Sequence, residues 1–274
     1  MFLNQPGIRV IVGDSHQSIY GYRGAIDSLN MVDFPRFTLS GSFRFGSHIA
    51  QKAMEAIRLK TLLGVSVRDF KITGLGPGKP REKSERAVLA RSNLGLISYA
   101  IEAVCNKGLR AAYEGEIQNY TFMSSGTSLF DILNLYVGKS DRIRDDFIRR
   151  FVSYDDLKEY QKEVDDRELG MVIDLISTYG TGLFGFIREM KEKAVGKDEA
   201  DLVLSPCHKS KGAEYDDVKL GSDFINGEKV MKLLAGAKAR PPKPFDLQAT
   251  IEEINLLYVA VTRSRRLLDI PFPI

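Results

Sequence analysis

Residues 12–25, VGDSHQSIYGYRGA, place an amide (Gln17), two aromatic rings two positions apart (Tyr20 and Tyr22) and a guanidinium (Arg23) in one short segment. An amide at a strand tip can sense a terminal phosphate, and rings beside it can stack on unpaired bases, at about 1–3 kcal/mol per base. One loop would then register both phosphate state and base grip. The same residue types also make a surface turn with core tyrosines. Phe43-Arg44 offers a ring and a planar cation. A guanidinium delivered across a cleft stabilises the charge of phosphoryl transfer, worth on the order of 10³–10⁵ in rate, while packing plus a surface charge is the plainer reading. Arg91 and Asn93 close an apolar run, where Ser92 or Asn93 could equally cap the next helix. In LSPCHKSKGAEYDDVKLGSDF, Gly212 permits a tight bend, Lys211 offers charge to a phosphate and the Glu214 carboxylate can accept hydrogen bonds from a ribose. In EEINLLYVAVTRSRRLL most apolar residues read as helix core, and Arg263 stands out from them.

These residues need elements to hold them. The β-branched run Ile8 to Val12 stops at Gly13-Asp14, which predicts a buried strand entering a loop and a chain that opens in mid-domain. Residues 47–63 carry Ile49, Ala53, Ala56, Ile57 and Leu63 near helical spacing, with Ser47 as the expected N-cap. A loop is expected from Gly74 to Lys83, a strand over Ala87 to Ala90 and a helix from Leu96 to Lys107 ended by Gly108. From about Ser124 to Ala200, charged residues crowd helical patterns with few strand signals, which predicts a mostly helical insertion. Strands near Leu202 to Leu204 and Val218 to Leu220 flank a loop at His208 to Gly212, and a helix follows from about Ile251 to Val261. Pro241, Pro242 and Pro244 stiffen the approach to that helix, and Arg265 and Arg266 read as solvated. The alternation predicts an α/β fold with a split second domain.

The chain has 274 residues, 43% hydrophobic and 27% charged, a normal globular balance. A net charge of +3 tilts toward an anionic partner without choosing one. Cys105 and Cys207 lie far apart with no C-x-x-C pairing, and His16, His48 and His208 have no metal-ligand spacing. No disulfide framework or metal site is therefore expected, and a reducing interior fits. No apolar run is long enough to cross a bilayer, so no membrane partner is expected. Two short matches are decoys. GTGLFG follows a helical pattern rather than the strand that a dinucleotide site needs, and Leu133 stands where a phosphate loop ending in Gly138-Lys139-Ser140 would have its first glycine.

Taken in order, the motif segments resemble superfamily 1 DNA helicases of the UvrD/Rep type. Gly13, Asp14, Gln17, Ser18, Ile19, Tyr20, Tyr22, Arg23, Gly24 and Ala25 match motif III, G-D-x-x-Q-S-I-Y-x-[FW]-R-G-A, with Tyr22 where Phe or Trp is usual. Ser42-Phe43-Arg44-Phe45 resembles motif IV in the form of the F-box DNA helicase branch. His208, Lys211, Gly212, Glu214 and Val218 stand at motif V positions, with Pro206 for a usual threonine and Ala213 for a usual leucine. Glu252 to Leu268 resembles motif VI.

The resemblance implies a RecA-like (P-loop NTPase type) parallel sheet with a mostly helical insertion. It divides the chain into the end of a first motor domain (1–33), a second domain in two parts (34–123 and 201–274) and an accessory insertion (124–200). It implies that Gln17, Arg44 and Arg263 attend the ATP γ-phosphate, that Phe43 stacks on adenine and that Glu214, beside Gly212, holds the ribose. Tyr20, Tyr22, Arg23, Arg91, Asn93, His208 and Lys211 would border DNA, and Tyr258 would lie near the strand or shape the cleft. No G-x-x-x-x-G-K-[ST] loop is present, and no D-E-x-x run stands at a strand end ahead of the motif III segment. ATP and Mg²⁺ would thus depend on an N-terminal RecA-like domain outside this chain, and the chain alone would be nearly inert. The implied whole is an ATP-dependent 3′–5′ DNA helicase that moves along single-stranded DNA or acts at duplex junctions. It would serve DNA repair or recombination in the cytoplasm, nucleoid-associated if bacterial. The alternative is a non-catalytic single-stranded DNA-binding or regulatory module derived from such a motor.

Overall fold

A computed structural model describes residues 7–67, 70–77, 84–120, 123–124, 127–240, 242 and 244–274. Pro241, part of the expected stiff loop, and residues 78–83 of the loop expected from Gly74 to Lys83 lie outside the described residues. The chain divides into two compact units. The first comprises Met1–Pro80, Phe224–Leu268 and Phe272–Ile274, and the second comprises Arg81–Asp223 and Asp269–Pro271.

In the first unit the expected strand at Ile8 to Val12 does not form. Its β-branched residues suit an extended backbone, but a strand exists only when another backbone takes up its N–H and C=O groups. None pairs with it among the described residues, and Ile8, Val10 and Val12 are 98%, 73% and 77% exposed. Strand β1 (Gly41–Ser42) leads into helix α1 (Ser47–Arg58), and β2 (Thr73–Gly74) pairs parallel with β1. Ile49, Ala50, Ala53, Ala56 and Ile57 are buried along one face of α1. Gly46, in an extended conformation, takes the N-cap expected of Ser47, which is instead the first helical residue. A 3₁₀ turn, Leu59–Leu63, continues α1 and ends at Gly64.

The second unit holds strand β3 (Arg86–Ala90), helix α2 (Asn93–Ala100) with a π turn at Ile101–Asn106, and strand β4 (Ala111–Tyr113). Gly108 follows in the left-handed region, as expected of the residue that ends this helix. A small antiparallel hairpin, β5 (Met123–Ser124) and β6 (Thr127–Ser128), opens the insertion. Four helices follow: α3 (Leu129–Tyr136), α4 (Tyr154–Val164), α5 (Arg167–Tyr179) and α6 (Gly182–Glu192). Ser153 and Asp156 form a reciprocal capping box at α4, and the Asp166 side chain caps α5. Ile132, Leu157, Val172, Ile176, Leu183 and Ile187 from these helices share one buried core with Ile97, Ile101 and Val104. The insertion therefore packs into the core of the sheet-bearing unit.

Strands β7 (Leu202–Pro206) and β8 (Tyr215–Leu220) complete this unit's sheet, in the order β4-β7-β3-β8 with all neighbours parallel. The fold is α/β, a parallel sheet with helices and a largely helical insertion, consistent with a RecA-like arrangement. The GTGLFG segment joins α5 to α6, so the strand that a dinucleotide site needs does not precede it.

Back in the first unit, α7 (Gly227–Lys238) is a helix that apolar periodicity did not announce, because Val230 is its one buried residue. The side chain of Asn226 caps it by accepting from Lys229 N. Helix α8 (Leu247–Val261) is buried almost continuously from Ile254 onward, and strand β9 (Ser264–Asp269) follows it.

Candidate functional site

In the first unit the Gln17 loop is built around a carboxylate. Asp14 caps the turn Ser15–Gln17: its Oδ1 accepts from His16 N at 2.9 Å. Its Oδ2 accepts from Gln17 Nε2 at 3.0 Å and from the Tyr258 hydroxyl of α8, also at 3.0 Å. Ile19, 1% exposed, anchors the loop in the core, and Asn255 Nδ2 of α8 donates to Ser18 O at 2.8 Å. Tyr20 is half-buried with the exposed Arg23 guanidinium 5.7 Å from its ring centroid. Gly24, at φ +73°, turns the chain in a conformation that a side chain would strain. The Tyr22 side chain lies outside the described residues.

The two arginines singled out from the sequence meet at Thr262. Arg44 follows β1, half-buried, and its Nη1 donates to Thr262 O at 3.1 Å. Arg263, 2% exposed, donates from Nε to Val259 O at 3.0 Å and from Nη2 to Thr262 Oγ1 at 3.2 Å. A guanidinium so enclosed is held by its own helix end, where unsatisfied carbonyls and the helix dipole favour a cation. Phe45, 1% exposed, is the anchor that leaves the neighbouring Phe43 ring 76% exposed. Tyr258 is 2% exposed; burial and the Asp14 carboxylate push its hydroxyl well above the ordinary phenol range, against the opposing pull of Arg263 and Arg44. Tyr258 thereby ties α8 to the Gln17 loop. Arg265, expected to be solvated, is 9% exposed on β9, where the strand turns it inward, while Arg266 is exposed.

Sequence reasoning gave no role to His16, Lys60, Phe70 or Asn255, which complete this cluster. Lys60 Nζ lies 2.8 Å from His16 Nδ1. The His16 ring meets Phe70 edge-on at 4.6 Å and Tyr258 at 6.2 Å. Burial lowers His16 from its ordinary 6.5 to about 4, with Lys60 adding to the effect, and burial lowers Lys60 from 10.5 to about 8.

In the second unit the motif V segment runs from β7 through a 3₁₀ turn, Cys207–Ser210, to β8. The buried Ser210 hydroxyl donates to Cys207 O at 2.8 Å and fixes the turn. Gly212 has φ +92° and open space around it, so it is the backbone angle that calls for glycine there. His208 and Glu214 are half-buried and Lys211 is exposed. Lys209 Nζ sits 4.1 Å from the Tyr120 ring centroid, and desolvation lowers its pKa.

At the end of β3, the Ser92 side chain caps α2 by accepting from Gly95 N at 3.1 Å, which answers the capping question left open by the sequence. Arg91 Nη1 pairs with Glu168 Oε1 at 3.0 Å, and Asn93 is the first residue of α2. Asp223 clasps this corner, accepting from Arg91 N and Ser92 N at 2.9 and 3.0 Å, and burial raises its pKa. The expected site residues thus fall in both units. Gln17, Tyr20, Arg23, Phe43, Arg44, Tyr258 and Arg263 belong to the first, and Arg91, Asn93, His208, Lys211, Gly212 and Glu214 belong to the second.

The half-buried Arg44 guanidinium, the Gln17 amide and the exposed Phe43 ring are groups of the kind that suit the phosphates and base of a nucleotide. No cluster of three or more His, Cys, Asp or Glu that could hold a metal ion is present among the described residues. No single described helix is long and apolar enough to cross a membrane.

No family model matches the chain. It is similar to F-box DNA helicase 1 of Gallus gallus, 28% identical over 277 residues that cover 94% of this chain and 26% of that protein. It is also similar to F-box DNA helicase protein 1 of Schizosaccharomyces pombe, 29% identical over 287 residues that cover 94% of this chain and 30% of that protein. The chain is a relative of DNA helicases. It spans less than a third of the length of these curated relatives.

Proposed function

We propose that this helicase relative is the C-terminal motor portion of an ATP-dependent DNA helicase of the superfamily 1 UvrD/Rep type, in the F-box DNA helicase branch. In this reading residues 1–33 end a first RecA-like domain, 34–123 and 201–274 form the second, and 124–200 are the accessory insertion. The phosphate loop and the magnesium ligands come from sequence outside these 274 residues. Gln17, Arg44 and Arg263 face the terminal phosphate, Phe43 the adenine and Glu214, beside Gly212, the ribose. Tyr20, Tyr22, Arg23, Arg91, Asn93, His208 and Lys211 border single-stranded DNA, and Tyr258 holds the loop that links the two. The motor steps 3′ to 5′ at the expense of ATP hydrolysis, and this chain alone is inert.

The observation that carries this reading is the meeting of Arg44 and Arg263 at Thr262, on the helix whose Tyr258 reaches the Gln17 loop through Asp14. When ATP and magnesium are bound they supply the phosphoanhydride and its counter-charge. The arginines then place positive charge where negative charge develops, and Gln17 orients on the terminal phosphate.

In the longer protein, Arg44→Ala and Arg263→Ala should each lower DNA-stimulated ATPase activity by on the order of 10³-fold or more while single-stranded DNA binding persists. Turnover retained in both variants would rule out the assigned roles. A reading frame that supplies no phosphate loop, with single-stranded DNA binding intact, would favour the non-catalytic module.

A further inference from the structure

Lys60 is 4% exposed, on the 3₁₀ turn after α1. Burying an ammonium group costs several kcal/mol unless it is hydrogen-bonded, and a methionine of similar length would pack more cheaply. Packing therefore does not explain a lysine here; its nearest partner does. An ammonium group has no lone pair to offer, so at 2.8 Å His16 Nδ1 must be the acceptor, and the ring's own proton sits on Nε2. The backbone N–H of the same histidine donates to Asp14 Oδ1, while Asp14 Oδ2 takes the Gln17 amide and the Tyr258 hydroxyl. The 14–17 loop is thus tied to helix α8 through the Asp14 carboxylate and to the turn after α1 through the His16 ring.

We propose that Lys60 is a positioning residue: its ammonium group fixes the His16 ring, and the pair sets the Asp14 carboxylate that holds the Gln17 amide in place. The proposal rests on the reading of Gln17 as a phosphate sensor for its functional meaning, but its geometry does not. Asp14 and Asp27 face both members of the pair, favouring the charged forms, while Phe70 and Tyr258 enclose the ring. The two partners reinforce each other. The Lys60 charge opposes protonation of His16, and a neutral His16 keeps its Nδ1 lone pair directed at Lys60. Lys60 at about 8 remains largely protonated at neutral pH, and His16 at about 4 remains neutral there. The link should therefore hold from pH 5 to pH 7.5 and weaken above pH 8 as Lys60 loses its proton.

The test uses the 274-residue chain without nucleotide, followed by NMR of the His16 imidazole nitrogens and the Gln17 side-chain amide between pH 4 and pH 9. The expected wild-type result is a neutral ring, protonated on Nε2, down to pH 5. In Lys60→Met the His16 midpoint should rise by about one pH unit or more and the Gln17 amide resonances should move. Lys60→Arg should restore both. The His16 and Gln17 signals, and not the thermal midpoint, are the readout, because removing the ammonium group leaves His16 Nδ1 without its donor and lowers stability whether or not Lys60 positions the loop. A wild-type ring that titrates near 6.5, a proton found on Nδ1, or Gln17 resonances unchanged in Lys60→Met would overturn the proposal. If Lys60→Met does not fold, the wild-type titration and Lys60→Arg decide the matter. Since no nucleotide is present, failure here leaves the assignment of Gln17 to the terminal phosphate standing, and the ATPase measurements on the arginine variants judge that assignment separately.

Discussion

The Gln17 loop of the first unit and the motif V turn of the second are both short 3₁₀ turns next to buried structure, yet they are held in different ways. The first is fixed by side chains from far along the chain: Tyr258 reaches Asp14 across 244 positions and Lys60 reaches His16 across 44. The second is closed by a bond within the turn, Ser210 donating to Cys207 three residues back, with Lys209 against the Tyr120 ring. A loop held from a distance moves when its distant partners move, whereas a bond closed within a turn depends less on them. In the function proposed above, the first arrangement would serve a phosphate sensor and the second a DNA contact.

The contrast extends to what surrounds each loop. The second unit rests on a continuous apolar core in which Ile176 of α5 is completely buried. Ile176→Ala should therefore have the largest effect on stability, about 2–5 kcal/mol, from lost transfer energy plus the cavity left behind. Hydrogen exchange should show the lost protection in α3, α5 and the β3 and β7 strands. Equal loss of protection at Ser15–Gln17 would mean that the two loops are not separately supported.

Tyr258→Phe is the sharper probe of the first loop. It removes one hydroxyl from a half-buried carboxylate acceptor, for which about 1.5–3 kcal/mol is expected. Asp14 would keep its bonds from His16 N and Gln17 Nε2. The Gln17 amide should accordingly become more mobile without being released. If urea unfolding of Tyr258→Phe matches the wild type within about 0.5 kcal/mol, the long-range tie does not hold the loop.

The readability of these features follows the range of the interactions that make them. Helix α1, strand β3 and the core stretch of α8 could be read because burial repeats over a few residues. Helix α7 could not, since a single buried valine leaves no stripe to see. Ile8 to Val12 failed as a strand because residue preference cannot supply a pairing partner. Arg44 and Arg263 were visible as members of an ordered motif series, while their meeting at Thr262 spans 218 positions for Arg44 and belongs to tertiary structure. Lys60 had no local mark at all: a lysine in KTLL reads as solvent-facing, and its burial follows from His16 in another segment.

The smallest effect completes the comparison with the same chemical deletion. Ser210→Ala also removes one buried hydroxyl, but its acceptor is a neutral carbonyl three residues away, so about 0.5–1.5 kcal/mol is expected. Because the bond is local, part of its geometry is already favoured in the unfolded chain, which lowers the entropy that folding must overcome there. The loss should fall below that of Tyr258→Phe when both are measured by urea unfolding. Exchange protection should change around Cys207–Ser210 and leave the 14–17 loop untouched. A Ser210→Ala loss as large as that of Tyr258→Phe would mean that neither the charge of the acceptor nor the reach of the contact distinguishes the two turns.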